Sequence, residues 1–118
     1  SGTNAVASAV GYRVLEIIER DNLLDHATTV GAHLQDGLES LAEEYPIIVD
    51  TRGLGLMVAI TLDGSRMASQ LVQQALNRGL LLFTCGCVSI RFRPPLDVTI
   101  REVDLALEIL DDALATLS

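Results

Sequence analysis

Apolar positions along the chain recur first at helical spacing, then at alternating positions, then at helical spacing again. Over residues 5–19, Val6, Val10, Val14 and Ile17/Ile18 predict a first helix. Asp21 is placed to cap a second, in which Leu23, Ala27, Val30, Leu34, Leu38 and Leu41 form one stripe that ends before Pro46. The period then shortens. Residues 47–51 and 56–62 predict strands joined by the turn Arg52-Gly53-Leu54-Gly55, and Asp63-Gly64 closes the second strand. Ser65 opens a short helix through Met67, Leu71, Val72, Ala75 and Leu76, stopped by Gly79. Two further strands are expected over 80–84 and 89–92, flanking Cys85-Gly86-Cys87. Thr99 with Glu102 makes a capping box for a last helix carrying Val103, Ala106, Leu107, Leu110, Leu114 and Leu117. The order ααββαββα predicts an α+β fold, a small sheet of about four strands with helices packed on one face. The first helix carries Leu15 besides its stripe, so two of its faces should be covered and the chain alone should self-associate.

Length and charge narrow the setting. The 118 residues suit a single domain over 1–118, with half of the chain apolar. No apolar run approaches the roughly 20 residues that span a bilayer, and no basic region precedes an apolar stretch, so a soluble, cytoplasmic protein is expected. Sixteen acidic residues against eight basic ones give a net charge of -8, which repels phosphate backbones and disfavours nucleic acid as a partner. All eight basic residues are arginine. A chain without lysine cannot by itself supply a side-chain amine for a Schiff base or for a phosphate loop.

The stretch Ser-Ile-Arg-Phe-Arg-Pro-Pro-Leu at 89–96 holds the strongest candidate chemistry. Strand alternation puts Arg91 and Arg93 on one face and Ile90 and Phe92 on the other. A guanidinium offers a planar fork of donors that matches a carboxylate, and a strand end is a rigid place to present it. Pro94 and Pro95 cannot donate ladder hydrogen bonds and so end the strand. Other groups carry less. His26 and His33 are seven residues apart on one helix, whereas a two-histidine metal site on a helix has a spacing of four and further ligands; they are expected as boundary residues beside the apolar stripe. Cys85 and Cys87 supply half of a tetrahedral sulfur site and are expected as reduced packing residues. Glu43-Glu44 is a solvated helix end. The Arg52–Gly55 turn lacks the third glycine and the following helix of a dinucleotide fingerprint.

Five segments in order, at 1–19, 22–46, 50–62, 77–86 and 89–104, together resemble the C-terminal part of a class III pyridoxal-phosphate aminotransferase, the family of the 4-aminobutyrate, ornithine, acetylornithine and lysine ε-aminotransferases. Gly2 and Asn4 fit the family's T-x-G-G-N-P-like segment, with Ala5 in place of its proline. The resemblance implies that these residues are a piece of a larger two-domain enzyme and form its small C-terminal domain. The cofactor-bearing lysine and most phosphate contacts would lie in a large partner domain, and the piece alone would be inactive. It implies pyridoxal 5'-phosphate as cofactor, a homodimer, and amino-acid and 2-oxo-acid substrates, the amino group passing from an ω-amino or diamino acid to 2-oxoglutarate. In the family's R-x-x-P-P-L-like segment an arginine takes a substrate carboxylate, and Arg91 is the matching residue. Arg93 is the structural alternative, an ion-pair partner. A racemase or aminomutase on the same scaffold, or an independent binding or dimerisation module, are the alternative readings.

Overall fold

The computed structural model describes residues 9–117, with side chains from residue 22 onward; Gly2, Asn4 and the apolar positions from Val6 to Ile18 therefore fall outside what it describes, in whole or in their side chains. The element order is α1 (Ala9–Glu44), β1 (Ile48–Leu54), β2 (Met57–Leu62), α2 (Ser65–Asn77), β3 (Phe83–Cys85), β4 (Ser89–Phe92) and α3 (Ile100–Ala115). The strands form one antiparallel sheet in the order β1-β2-β4-β3. The expected α+β architecture is what the chain adopts. No described helix is long and apolar enough to cross a membrane.

The two helices expected at the start are one. Residues 18–25 contain neither glycine nor proline, and Asp21 lies inside α1 rather than capping a new helix. An aspartate caps where the backbone already breaks; inside a continuous helix it costs less than about 0.7 kcal/mol relative to alanine. Along α1 the stripe Ala27, Val30, Leu34, Leu38 and Leu41 is buried, while Leu23 at its upstream end is 37% exposed. The backbone turns after Tyr45, whose N–H is bonded to the Leu41 carbonyl, and Pro46 follows.

Alternation in the strands gives the sheet one covered and one open face. Ile48, Val58, Ile60, Leu62, Ile90 and Phe92 point into the core against the helices. The opposite face carries Asp50, Arg52 and Leu54 on β1, Met57, Ala59 and Thr61 on β2, Ser89 and Arg91 on β4, and Phe83 and Cys85 on β3. Burial of roughly 1.5–3 kcal/mol per core side chain accounts for why the helices cover the first face.

Two boundaries differ from the sequence reading. β1 continues through Gly53 and Leu54, so the turn is the two-residue Gly55-Leu56, with Leu54 paired to Met57. Gly55 has φ 58 and among the described residues no non-glycine residue has positive φ, which is the pattern of a II′-type hairpin with glycine first. Ser65 opens α2 as expected, with Gly64 as the N-cap and no side-chain cap hydrogen bond. β3 begins at Phe83, not at residue 80. The Leu80 N–H is bonded to the Ala75 carbonyl in the C-terminal turn of α2. Moreover, the register Phe83↔Arg91 would set Leu80 opposite Pro94, which has no N–H to pair.

Helix α3 starts as expected: the Thr99 hydroxyl accepts from the Glu102 N–H at 3.1 Å, and Glu102 reaches back to the Thr99 N–H at 3.1 Å. Beyond α1, Tyr45 donates its hydroxyl to Asp111 Oδ1 on α3 at 2.5 Å. Between α1 and the hairpin the approach is closer still. A Cβ on Gly31 would lie 2.2 Å from the Gly55 carbonyl oxygen, so only glycine lets this helix meet that turn.

Two predictions come from these contacts. Gly31→Ala sets a methyl against backbone that cannot move aside and should lower stability by about 1–3 kcal/mol. Gly37→Ala meets only the tip of the Leu107 side chain, and its helix-propensity gain of about 1 kcal/mol offsets the crowding. Denaturant midpoints should rank Gly31→Ala well below Gly37→Ala; equal midpoints would remove the close approach from the account. The Tyr45 phenol is pushed up to about 12, first by its hydrogen bond to Asp111, then by burial and by repulsion from Asp111, Glu44 and Asp112. The raised value means that the hydroxyl's stabilisation is whole below the ordinary tyrosine value of 10.0 and fades as pH climbs through about 12. Subtracting the phenolate titration of Tyr45→Phe from that of the parent chain should give a midpoint near 12, and a midpoint near 10 would contradict the Asp111 contact.

Candidate functional site

Arg91 occupies the middle of the open face. Its neighbours across the ladder are Ala59 on β2 and Phe83 on β3, so one flank is a methyl group and the other an aromatic ring. Ile90 and Phe92 on either side in sequence are buried and anchor the strand. The guanidinium is exposed, and among the described residues its hydrogen-bond acceptor is a sulfur, Cys85 Sγ, at 2.8 Å from Nη2. Thiol sulfur is a weak acceptor, so most of the fork remains available for a stronger partner.

The chain leaving Arg91 is fixed from below. Pro94 and Pro95 end β4, the Val98 N–H bonds the Pro95 carbonyl at 3.0 Å, and Val98 is buried. Its carbonyl accepts a hydrogen bond of 2.6 Å from His26 Nε2 on α1, which sets the tautomer, because a carbonyl can only accept. Arg91 and Arg93 share the rim of a groove of about 770 Å³ that runs from the β3 edge to α3. Leu80, Leu82, Phe83, Ala106 and Ile109 line its apolar wall. A cationic rim over an apolar wall suits a small amphiphilic carboxylate.

The expected ion pair of Arg93 does not form among the described residues: those ion pairs are His33 with Asp104 and Arg52 with Asp50. The histidines share the face of α1 that meets the last third of the chain, as their spacing predicted, but bond different groups, His26 the Val98 carbonyl and His33 the Asp104 carboxylate at 2.5 Å. Cys85 and Cys87 are free and exposed rather than packed, because β3 is an edge strand and the turn after it projects into solvent. Among the described residues no group of three or more His, Cys, Asp and Glu side chains is placed to hold a metal ion. Sequence reasoning missed two contacts, His26 to Val98 and Arg91 to Cys85. The second was accessible in principle: a hairpin closing on Gly86 sets Cys85 opposite Ser89 and therefore diagonal to Arg91 on the same face.

Comparison with known proteins places this geometry. The model of the family "Aminotransferase class-III" matches residues 2–114. An acetylornithine aminotransferase from Caldanaerobacter subterraneus subsp. tengcongensis is 40% identical over 114 residues, which are 97% of this chain and 29% of that protein. An L-lysine-epsilon aminotransferase from Amycolatopsis lactamdurans is 41% identical over 117 residues, 98% of this chain and 26% of that protein. Among solved structures, the lysine aminotransferase from M. tuberculosis in the internal aldimine form superposes with a TM-score of 0.82 at 34% identity, covering 90% of this chain and 25% of that one. The chain thus spans between a quarter and three tenths of the length of these relatives. With the family model matched over nearly all of its length, and with a sheet and helices that superpose on a solved member, the chain belongs to the class III aminotransferases.

Proposed function

We propose that this chain is the C-terminal small domain of a pyridoxal-phosphate-dependent enzyme that moves an amino group from an ω-amino or diamino acid to 2-oxoglutarate, and that Arg91 takes the substrate's carboxylate. The observation that carries the reading is the state of Arg91: an exposed guanidinium on a rigid strand, held only by a sulfur among the described residues, beside an apolar groove. Support for the donor class comes from the relatives named for acetylornithine and lysine-epsilon amino transfer.

The residues present do not fit the cofactor itself. Pyridoxal phosphate is held covalently through a lysine amine, and this chain has none. Its anchor belongs to a large partner domain, and the small domain's part is to bind and orient. Arg91 meets a carboxylate through two parallel N–H donors, which fixes the carboxylate plane as well as its position. Ala59 opposite leaves room for that approach, and a partner domain covering this face would keep water from the paired charges, which strengthens them. The partner domain would cover the open face, where Leu54, Met57 and Phe83 are 87%, 56% and 65% exposed.

In the full-length enzyme Arg91→Ala should lower kcat/KM for the carboxylate substrate by the equivalent of about 2–5 kcal/mol, since it leaves a carboxylate unpaired in a partly dry site. Arg91→Lys should recover only part, because an ammonium lacks the planar fork. Cofactor binding and thermal stability should stay near wild type in both. Arg93→Ala serves as the comparison and should leave stability near wild type, since no ion pair of Arg93 is lost among the described residues. Wild-type kinetics for Arg91→Ala, or a larger defect for Arg93→Ala, would move the site elsewhere.

A second outcome concerns the cofactor. When the 118-residue chain is mixed with pyridoxal phosphate and reduced with borohydride, mass spectrometry should find label on the terminal amine alone. A stoichiometric adduct on any internal residue would contradict the division of labour between the two domains.

A further inference from the structure

Arg91 is the last residue but one of β4, and the ladder that holds it ends one residue later: Arg91 pairs with Ala59 and Phe83, and the final pair of the strand is Phe92 with Val58. Strand ends open more easily than strand centres. Pro94 and Pro95 have no N–H with which to extend the ladder, so the direction in which β4 leaves the sheet is set by whatever holds the chain beyond them. The next fixed point is Val98. Its side chain is buried, its N–H closes a turn on the Pro95 carbonyl at 3.0 Å, and Thr99 after it caps α3.

The Val98 carbonyl is the one group here that helix formation cannot satisfy. The first carbonyl used by α3 is that of Thr99, which accepts from the Val103 N–H at 3.0 Å, so the carbonyl before it needs a partner from outside. His26 supplies it from 72 positions away: Nε2 donates at 2.6 Å from α1, one turn before the buried Val30. His33 offers a comparison. It lies further along the same helix, yet bonds the Asp104 side chain within α3 and so joins helix to helix without touching the segment after the prolines.

We propose that His26 is a positioning residue for the substrate's carboxylate: by holding the Val98 carbonyl it fixes the far end of the segment that starts at Arg91, and with it the direction of the guanidinium. This rests on the assignment of Arg91 as the carboxylate-binding residue and adds a remote determinant of its aim. A bidentate pair is sensitive to that aim because both N–H donors must meet the carboxylate plane together. What the contact requires of position 26 is a donor where Nε2 stands. Glutamine can place an amide N–H there, asparagine reaches only as far as Nδ1, and phenylalanine fills the ring's volume without a donor.

The test uses the full-length holoenzyme with 2-oxoglutarate as the probe. His26→Phe and His26→Asn should each raise the KM for 2-oxoglutarate by about three- to tenfold, with kcat and the cofactor's absorbance spectrum nearly unchanged. His26→Gln should recover most of that loss. His33→Phe, which breaks only the Asp104 contact, should keep the wild-type KM. In an Arg91→Ala background His26→Phe should have no further effect on kcat/KM, since the group it aims is gone, whereas a merely structural histidine would lower kcat/KM by the same factor in both backgrounds. Where His26→Phe yields no folded enzyme, His26→Asn carries the same comparison. A wild-type KM in the variants without the donor, no recovery in His26→Gln, or equal factors in the two backgrounds overturns the inference while Arg91→Ala keeps its own kinetic defect. If Arg91→Ala shows none, the carboxylate assignment itself has failed.

Discussion

The contact on which the rest of the structure depends is the one between the Gly31 backbone and the carbonyl of Gly55. It sets how near α1 comes to the β1–β2 hairpin, and a single methyl group there would collide with main chain. At that separation Val30, Leu34 and Leu38 reach Leu56, Val58 and Ile60 in one core. With the hairpin seated, β4 has an edge of β2 to pair with, and the pairing Ala59↔Arg91 places the guanidinium at mid-sheet rather than at a rim. A strand set in this way inherits the rigidity of the core beneath it, which a loop-borne arginine would lack.

Electrostatics completes the arrangement. In a chain of net charge -8 an exposed arginine should be easy to neutralise, and several acids are instead occupied locally: Asp50 by Arg52, Asp104 by His33, Asp111 by Tyr45, Glu102 by the Thr99 cap. Each pairing has its own structural purpose, and together they leave the strand cation available. The net charge of this chain is nonetheless negative, so a carboxylate meeting Arg91 would be held by short-range geometry more than by attraction from a distance.

Much of the fold was legible in the sequence because it rests on local rules. The Thr99/Glu102 box, the stripe from Ala27 to Leu41 and the alternation over Met57–Leu62 each express a single period or cap, and each appears as expected. The junction near Asp21 misled because a capping residue marks a helix start only where something stops the preceding turn, and nothing there does. β3 came out shorter because its length is decided on another strand, by Pro94 opposite, which no local pattern at Leu80–Leu82 encodes. At the site, alternation put Arg91 and Arg93 on one face but could not choose between them; that choice came from the family resemblance. The sulfur beside Arg91, and the histidine that steadies the segment after the prolines, come from residues 6 and 72 positions apart, and such pairings are set by tertiary register.

The double proline has a bearing on solubility as well as on shape. By ending β4 it holds the neighbouring edge strand to the three residues Phe83–Cys85, and a template of three residues is a poor one for a foreign strand to pair with. At the opposite edge the ladder of β1 is interrupted by a bulge between Ile48 and Asp50, which throws Val49 out of register. Both borders of a small, half-uncovered sheet are thus poorly suited to sheet extension, so an open face rich in apolar residues can await its proper cover without inviting fibrous stacking.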